Sequence, residues 1–149
     1  MYSAWEISKY IVQKSIDINK PIDNLKLQKL LFYCQIEYIK RNKELLFPDD
    51  IQFSAYGSFI PSVYYNLNCN GVNDLYLSDL IAKDESETAI EIDTETKRII
   101  DEVTQRYKDT LTWNLVSMNQ KEDIWKDLYC DNKIKNISSE DLLAYSYYS

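Results

Sequence analysis

Apolar positions recur at helical spacing through much of the chain. The clearest case is Asn24-Leu25-Lys26-Leu27-Gln28-Lys29-Leu30-Leu31-Phe32-Tyr33-Cys34-Gln35. Leu27, Leu30, Leu31, Cys34 and Tyr38 fall at i, i+3, i+4, i+7 and i+11, one face of an α-helix. Asp23 or Asn24 supplies a side-chain oxygen to cap its start, and the pattern fades near Arg41-Asn42. Upstream, Ser3-Ala4-Trp5-Glu6 reads as a capping box. The helix it opens carries Trp5, Tyr10 or Ile11, and Ile16, and is predicted to run to about Ser15 before Pro21 closes the connection.

The spacing then changes. Leu45, Leu46 and Phe47 precede a turn at Pro48-Asp49-Asp50, and Ile51, Phe53 and Ala55 alternate with Gln52 and Ser54. That alternation predicts a half-buried strand, ended by Gly57. Pro61 suits the first turn of a helix, where its missing N–H costs nothing, with Val63, Tyr64 and Leu67 on its apolar face. Asp74 is expected to cap a short helix bearing Leu75, Leu77, Leu80 and Ile81. Lys83 to Thr88 reads as a loop, and Ala89-Ile90-Glu91-Ile92 as a short strand expected to pair with Ile51–Tyr56. Asp93 or Thr94 caps a helix with Ile99, Ile100, Val103 and Tyr107 on one face. Thr110 starts another through Leu111, Leu115 and Met118, and Ser138 with Asp141 a last one through Leu142, Leu143 and Tyr145. The predicted class is mainly α (α+β): a compact single helical domain over residues 1–149 with a small antiparallel β element.

Composition narrows the chemistry. A chain of 149 residues, 45% apolar and 28% charged, is an ordinary globular balance that needs no metal or disulfide to fold. No apolar run is long enough to span a bilayer and no signal peptide opens the chain, so a cytoplasmic protein without membrane contact is expected. The absence of His removes Ser-His and Cys-His nucleophile pairs and the mixed zinc sites. No Walker loop, dinucleotide fingerprint or nucleophile elbow is present. Cys34, Cys69 and Cys130 share no metal-like spacing and read as free thiols. The adjacent acids Asp49-Asp50, Asp84-Glu85, Glu122-Asp123 and Glu140-Asp141 sit at turns or helix starts, where negative charge favours the helix dipole. A non-enzymatic protein with no cofactor and no metal is expected.

Net charge of −7 repels nucleic acid and suits a protein partner with a basic surface. Lys26, Lys29, Lys40, Arg41 and Lys43 read as a solvated helix face. Thirteen tyrosines are the unusual feature, since Tyr pairs a large apolar ring with a polar tip and is enriched at interfaces. The corner Tyr56-Gly57-Ser58-Phe59-Ile60-Pro61, with Tyr64 beyond it, is the candidate partner-binding surface: Tyr56, Gly57, Phe59, Pro61 and Tyr64. Core packing competes with that reading and is favoured for Tyr56, with the surface favoured for Phe59. The C-terminal Tyr145-Ser146-Tyr147-Tyr148-Ser149 is a second candidate, with a docked helix end preferred.

Three segments also carry a resemblance. The helix with Leu27, Gln28, Leu30, Leu31 and Gln35 resembles the signature helix of the SocA-like, GepA-related antitoxin family, the Panacea domain. Ile51 to Tyr64 is similar to that family's aromatic, x, x, Tyr-Gly-Pro-Val-x-Pro-x-Val-Tyr block, and Leu115 to Trp125 is similar to its Leu-Ser-x-Leu-Thr-His-x-Glu-x-Pro-Trp block. Gly57-Ser58 stands where the family has Gly-Pro, Asn119-Gln120 where it has Thr-His, and Ile124 where it has Pro. The resemblance implies an antitoxin that neutralises a cognate toxin by direct contact, and some relatives also deliver the toxin to a cytosolic protease. The alternative on the same scaffold is a phage or mobile-element inhibitor of a host defence complex. On the polar side of the signature helix, Gln28 or Gln35 either faces solvent or satisfies buried backbone groups near the Tyr56-Gly57 turn. The oligomeric state is not encoded in any of these patterns.

Overall fold

The computed structural model describes residues 1–82, 91–129 and 134–147. Its elements are α1 (Ala4–Asp17), α2 (Asn24–Asn42), β1 (Ile51–Ser54), β2 (Gly57–Phe59), α3 (Pro61–Tyr64), a 3-10 turn (Asn68–Asn70), α4 (Leu77–Ile81), α5 (Thr94–Tyr107), α6 (Thr112–Gln120), α7 (Asp123–Leu128), β3 (Lys135–Ile137) and α8 (Ser139–Tyr147). The chain is mainly helical with one small antiparallel sheet, as its pattern predicts. Among the described residues no helix is long and apolar enough to cross a membrane.

Local capping sets the main helices. Ser3 and Glu6 form the full capping box of α1, and the Asp49 carboxylate accepts a further bond from the Ala4 N–H at 2.8 Å. Asp23 caps α2 by accepting from the Lys26 N–H, and Lys43 ends it in the left-handed region at φ +59. Asp93 caps α5 and also accepts from the Tyr2 hydroxyl and from Thr96. Those bonds, the Tyr2 hydroxyl first, hold its carboxyl down to about 2.

Helix α2 is the centre of the fold. It packs against α1, α3, α5, α6, α8 and β2, so Asn24, every residue from Lys26 to Ile36, and Ile39 are all buried. The sequence pattern predicts a one-sided apolar helix with a solvated lysine face. The structure corrects this: Lys29 is wholly buried and Lys26 is 8% exposed. Their ammonium groups reach backbone carbonyls of neighbouring elements, Lys29 that of Ser58 and Lys26 those of Thr110 and Lys108 past the end of α5. The buried lysines of α2 are tolerated inside because each has a hydrogen-bond partner. One cluster of buried apolar residues runs from Ala4 to Leu142, with Phe32 edge-on to Phe53 joining α2 to the sheet.

The sheet has strand order β2-β1-β3, both pairs antiparallel. Gln52 faces Phe59 and Phe53 faces Ser58 on one side; Ile51 faces Ile137 on the other. Both edges of β1 are therefore taken, which overturns the expected pairing with 89–92. Ala89 and Ile90 lie outside the described residues, while Glu91 and Ile92 run up to the α5 cap without strand structure. Gly57 does not end the strand but turns it into a hairpin.

Other expectations shift for identifiable reasons. The Leu75 N–H is held by the Ile22 carbonyl at 2.7 Å, so α4 starts later, and Asp79 rather than Asp74 takes the free Tyr76 N–H. Helix α6 buries Leu115, Val116 and Asn119 while Leu111 and Met118 stay exposed, so the predicted apolar face is split. The C-terminal helix is docked: it packs on α2, and the Tyr145 hydroxyl donates to Glu122. Tyr148 and Ser149 lie outside the described residues.

Gln35 accounts for the connection after α2. Its Oε1 accepts from the Leu46 N–H at 2.7 Å and its Nε2 donates to the Phe47 carbonyl at 2.9 Å. Both residues are buried apolar anchors whose backbone has no access to water. Gln35→Leu keeps the volume but strands both groups, and is expected to cost about 2–4 kcal/mol in urea unfolding. A cost below about 0.5 kcal/mol would show that other groups serve these backbone atoms.

Candidate functional site

The hairpin corner is built from a tight turn. Ala55 and Tyr56 form its exposed tip, and Gly57 follows at φ +89, a left-handed conformation that a side chain would resist. A Cβ on Gly57 would also lie 2.2 Å from Asn119 Oδ1. The Ser54 hydroxyl accepts from the Tyr56 N–H at 3.1 Å and donates to the Gly57 carbonyl at 3.3 Å, closing the turn from within.

Side chains from three helices then hold it from outside. Trp125 Nε1 of α7 donates to the Ser54 carbonyl at 3.0 Å, and Gln120 Nε2 of α6 donates to the Ala55 carbonyl at 2.5 Å. Asn119 Oδ1 accepts from the Ser58 N–H and Lys29 Nζ of α2 donates to the Ser58 carbonyl, both at 2.5 Å. Gln28 Oε1 accepts from the Ile60 N–H at 2.8 Å. Its Nε2 donates to Asn24 Oδ1, and Asn24 Nδ2 donates to the Tyr64 carbonyl at 3.1 Å. Gln28 thus serves the strand after the Tyr56-Gly57 turn, whereas Gln35 serves the separate 46–47 connection.

The structure sorts the five corner residues. Tyr56 is 56% exposed and meets Trp113 of α6 edge-on at 5.8 Å between ring centroids. Phe59 is 6% exposed and lies edge-on to Tyr64 at 5.5 Å and to Tyr65 at 6.2 Å. This reverses the sequence preference, which puts Tyr56 in the core and Phe59 on the surface. The turn carries Tyr56 beyond the last strand pair, Ser54 with Gly57, while the short β2 turns Phe59 under α3. Pro61 opens α3 and is half-buried, as is Tyr64, and Gly57 is buried. Leu27, Leu30 and Leu31 lie in the core, and Trp125 is half-buried against the hairpin.

Lys29, Asn119, Gln120 and Trp113 are the residues that sequence reasoning passes over. Asn119-Gln120 was visible as a departure in the third block, and Ser58 as one in the second. The structure brings these departures together: the N–H that Asn119 binds is one that a Pro at position 58 would lack. Lys29 leaves no sequence signal, because a lysine between Gln28 and Leu30 looks solvated. Burial alone pushes its amine down to about 7. Tyr33 is pushed up by burial and, less, by Glu122, whose carboxylate accepts from both Tyr33 and Tyr145. Among the described residues no group of three or more Cys, Asp or Glu is placed to hold a metal ion. Lys29, Asn119 Oδ1, Gln120 and Trp125 are spent on backbone hydrogen bonds that stiffen the corner, while Ser58 Oγ and Asn119 Nδ2 are buried there without a partner among the described residues.

A sequence model of the family described as antitoxin SocA-like, Panacea domain, matches residues 27–126 of the 149. The match begins in α2 and ends just after Trp125, so it takes in the hairpin and most of the side chains that hold it. No curated protein and no solved structure matches the chain.

Asn119→Ala leaves the buried Ser58 N–H without its acceptor and is expected to cost about 1–3 kcal/mol. Ser58→Pro, which deletes that N–H, is expected to cost less in the Asn119→Ala background than in the wild type; equal costs would mean that the two residues are not coupled. Lys29 gives a pH signature. The unfolded chain keeps its proton up to the ordinary 10.5, while the folded state releases it near 7. The folding penalty is therefore full below pH 7 and is relieved as pH rises towards 10.5. Compared with Lys29→Met, the wild type is expected to gain stability between about pH 7 and about pH 9.5. Parallel curves for the two proteins would refute the buried amine.

Proposed function

The chain belongs to the SocA-like antitoxin family, Panacea domain, and from that premise we propose that it is a non-enzymatic binding module which neutralises a cognate toxin by direct contact. An antitoxin role and a protein partner such as a toxin go with membership of the family. The finer reading rests on one observation: a turn held by Lys29, Asn119, Gln120 and Trp125 presents the exposed ring of Tyr56. A rigid anchor loses little freedom on binding, and such preorganisation favours affinity. Gly57 shapes the turn, and Pro61 and Tyr64 follow the hairpin in α3, where Tyr64 packs on Phe59. The core that runs from Ala4 to Leu142 supports residues 1–149 as one domain of this family; a cytoplasmic setting is part of the same proposal. Delivery of the toxin to a cytosolic protease is part of the same proposal, as a second step after capture.

The departures at Ser58 and Asn119 bond to each other inside the protein. They therefore lend no weight to a changed target, and the inhibitor of a host defence complex stands as the alternative without an observation in its favour.

The test is co-expression with the toxin encoded next to this gene. Growth is expected to be rescued by the wild type and by Arg98→Glu on the distant outer face of α5, and rescue is expected to fall in Tyr56→Ala. Toxin half-life with and without the protein reads out the protease step. Failure of the wild type to rescue would sink the antitoxin reading; rescue by Tyr56→Ala at wild-type strength would sink the corner.

A further inference from the structure

Charge is distributed unevenly along this chain. From Ile51 through Asn73 there is no Lys, Arg, Asp or Glu, and from Thr110 through Gln120 there is none either, although 28% of the chain is charged. The fold brings the hairpin of the first stretch against the helix of the second, through Ser58 with Asn119, Ala55 with Gln120, and Tyr56 with Trp113.

Core packing explains neutrality where side chains are buried. It does not explain the exposed ones. Tyr56 is 56% exposed, Trp113 61%, Leu111 71% and Met118 38%. At 3.6 residues per turn, Trp113 lies on the hairpin side of the outer face of α6 and Met118 on its far side, with Leu111 at the extended N-cap position just before the helix. Asn114 and Ser117, both exposed and uncharged, lie between them. Aromatic and Met enrichment with charge depletion is the composition of the buried centre of a protein interface. Asn119 and Gln120 lock α6 to the hairpin from behind, so the surface is formed before anything binds.

The surroundings say what kind of segment fits. The neutral stretches are bounded by Asp49-Asp50 and Asp74, and by Lys108-Asp109, with Asp109 paired to Lys20, and Lys121-Glu122-Asp123. Acids outnumber bases at these margins, in a protein of net charge −7. A charge set over the neutral centre would be desolvated without a partner, whereas basic residues at its edge would meet the acids. The face carries no cation to bind phosphate, and a second copy would set acidic margins against each other.

We propose that Tyr56 and Trp113, extended by Met118 and Leu111, form the docking platform for an apolar, uncharged segment of the partner protein that is flanked by basic residues. This deepens the antitoxin reading by giving the chemistry of the toxin segment that the corner receives.

The test uses two displayed peptide libraries with randomised uncharged centres, one flanked by lysines and one by glutamates. The wild-type protein is expected to enrich the Lys-flanked library. The selected peptides are expected to shift the Trp113 indole N–H resonance and to bind about tenfold or more weakly to Trp113→Ala and to Tyr56→Ala. Trp113→Phe, which keeps an aromatic ring, is expected to retain binding, and circular dichroism checks that each variant is folded. Enrichment of the Glu-flanked library, enrichment of neither, or binding indifferent to both substitutions would overturn the proposal. A concentration-dependent dimer abolished by Trp113→Ala would overturn it in favour of a second copy. Peptide selection does not depend on growth rescue, so loss of the antitoxin reading and loss of this platform are separately visible.

Discussion

Ser58 sits in the outer strand of a three-stranded sheet, opposite Phe53, and its N–H and C=O turn away from β1. A bare strand edge of this kind is a site for unwanted pairing, and buried without partners it costs stability. Two helices close it with side chains: Lys29 from α2 meets the carbonyl and Asn119 from α6 meets the N–H. Much else follows from that closure. It ties α2 and α6 to the sheet, and with Asn119 in place Gly57 has no room for a Cβ. The exposed tip is an outcome of how firmly its base is held.

The same logic runs along α2. Asn24, Gln28, Lys29 and Gln35 are polar, yet all are buried, and each ends on a backbone group outside the helix or on another residue that does. The 46–47 connection, the strand end at 58–60 and the end of α3 are thereby stapled to one central rod. Lysine suits the longest reach because its stem packs as an apolar chain and its amine, whose pKa burial lowers to about 7, donates in either protonation state. This helix is where the resemblance to the family is densest. Its polar positions serve architecture, and that leaves recognition to the surface that the architecture presents.

Several elements were legible beforehand because their causes are local. The capping box of α1 and the Asp caps of α2 and α5 depend on residues three apart in sequence. Pro61 announced the start of α3. The readings that failed depend on partners far away in the chain. Lys29 looked solvated because its acceptor is on another element. The mate of β1 was misplaced because β3 arrives from beyond residue 130 and β2 from a turn that looked like a terminus. Tyr56 and Phe59 were exchanged because alternation says which residues share a side of a strand but not where the turn lifts the chain off it.

Periodicity, caps and composition by themselves determined a mainly helical chain, and an acidic one without histidine chemistry; the tie to an antitoxin family came from the resemblance of its motifs and the family match. These follow from neighbour relations and residue counts, which are properties of the linear chain. Only the tertiary structure decided which polar residues are buried, which aromatic rings reach water, and that two uncharged stretches form one face. Burial is a property of what is packed opposite a residue, and no local pattern records what the far end of the chain will bring there.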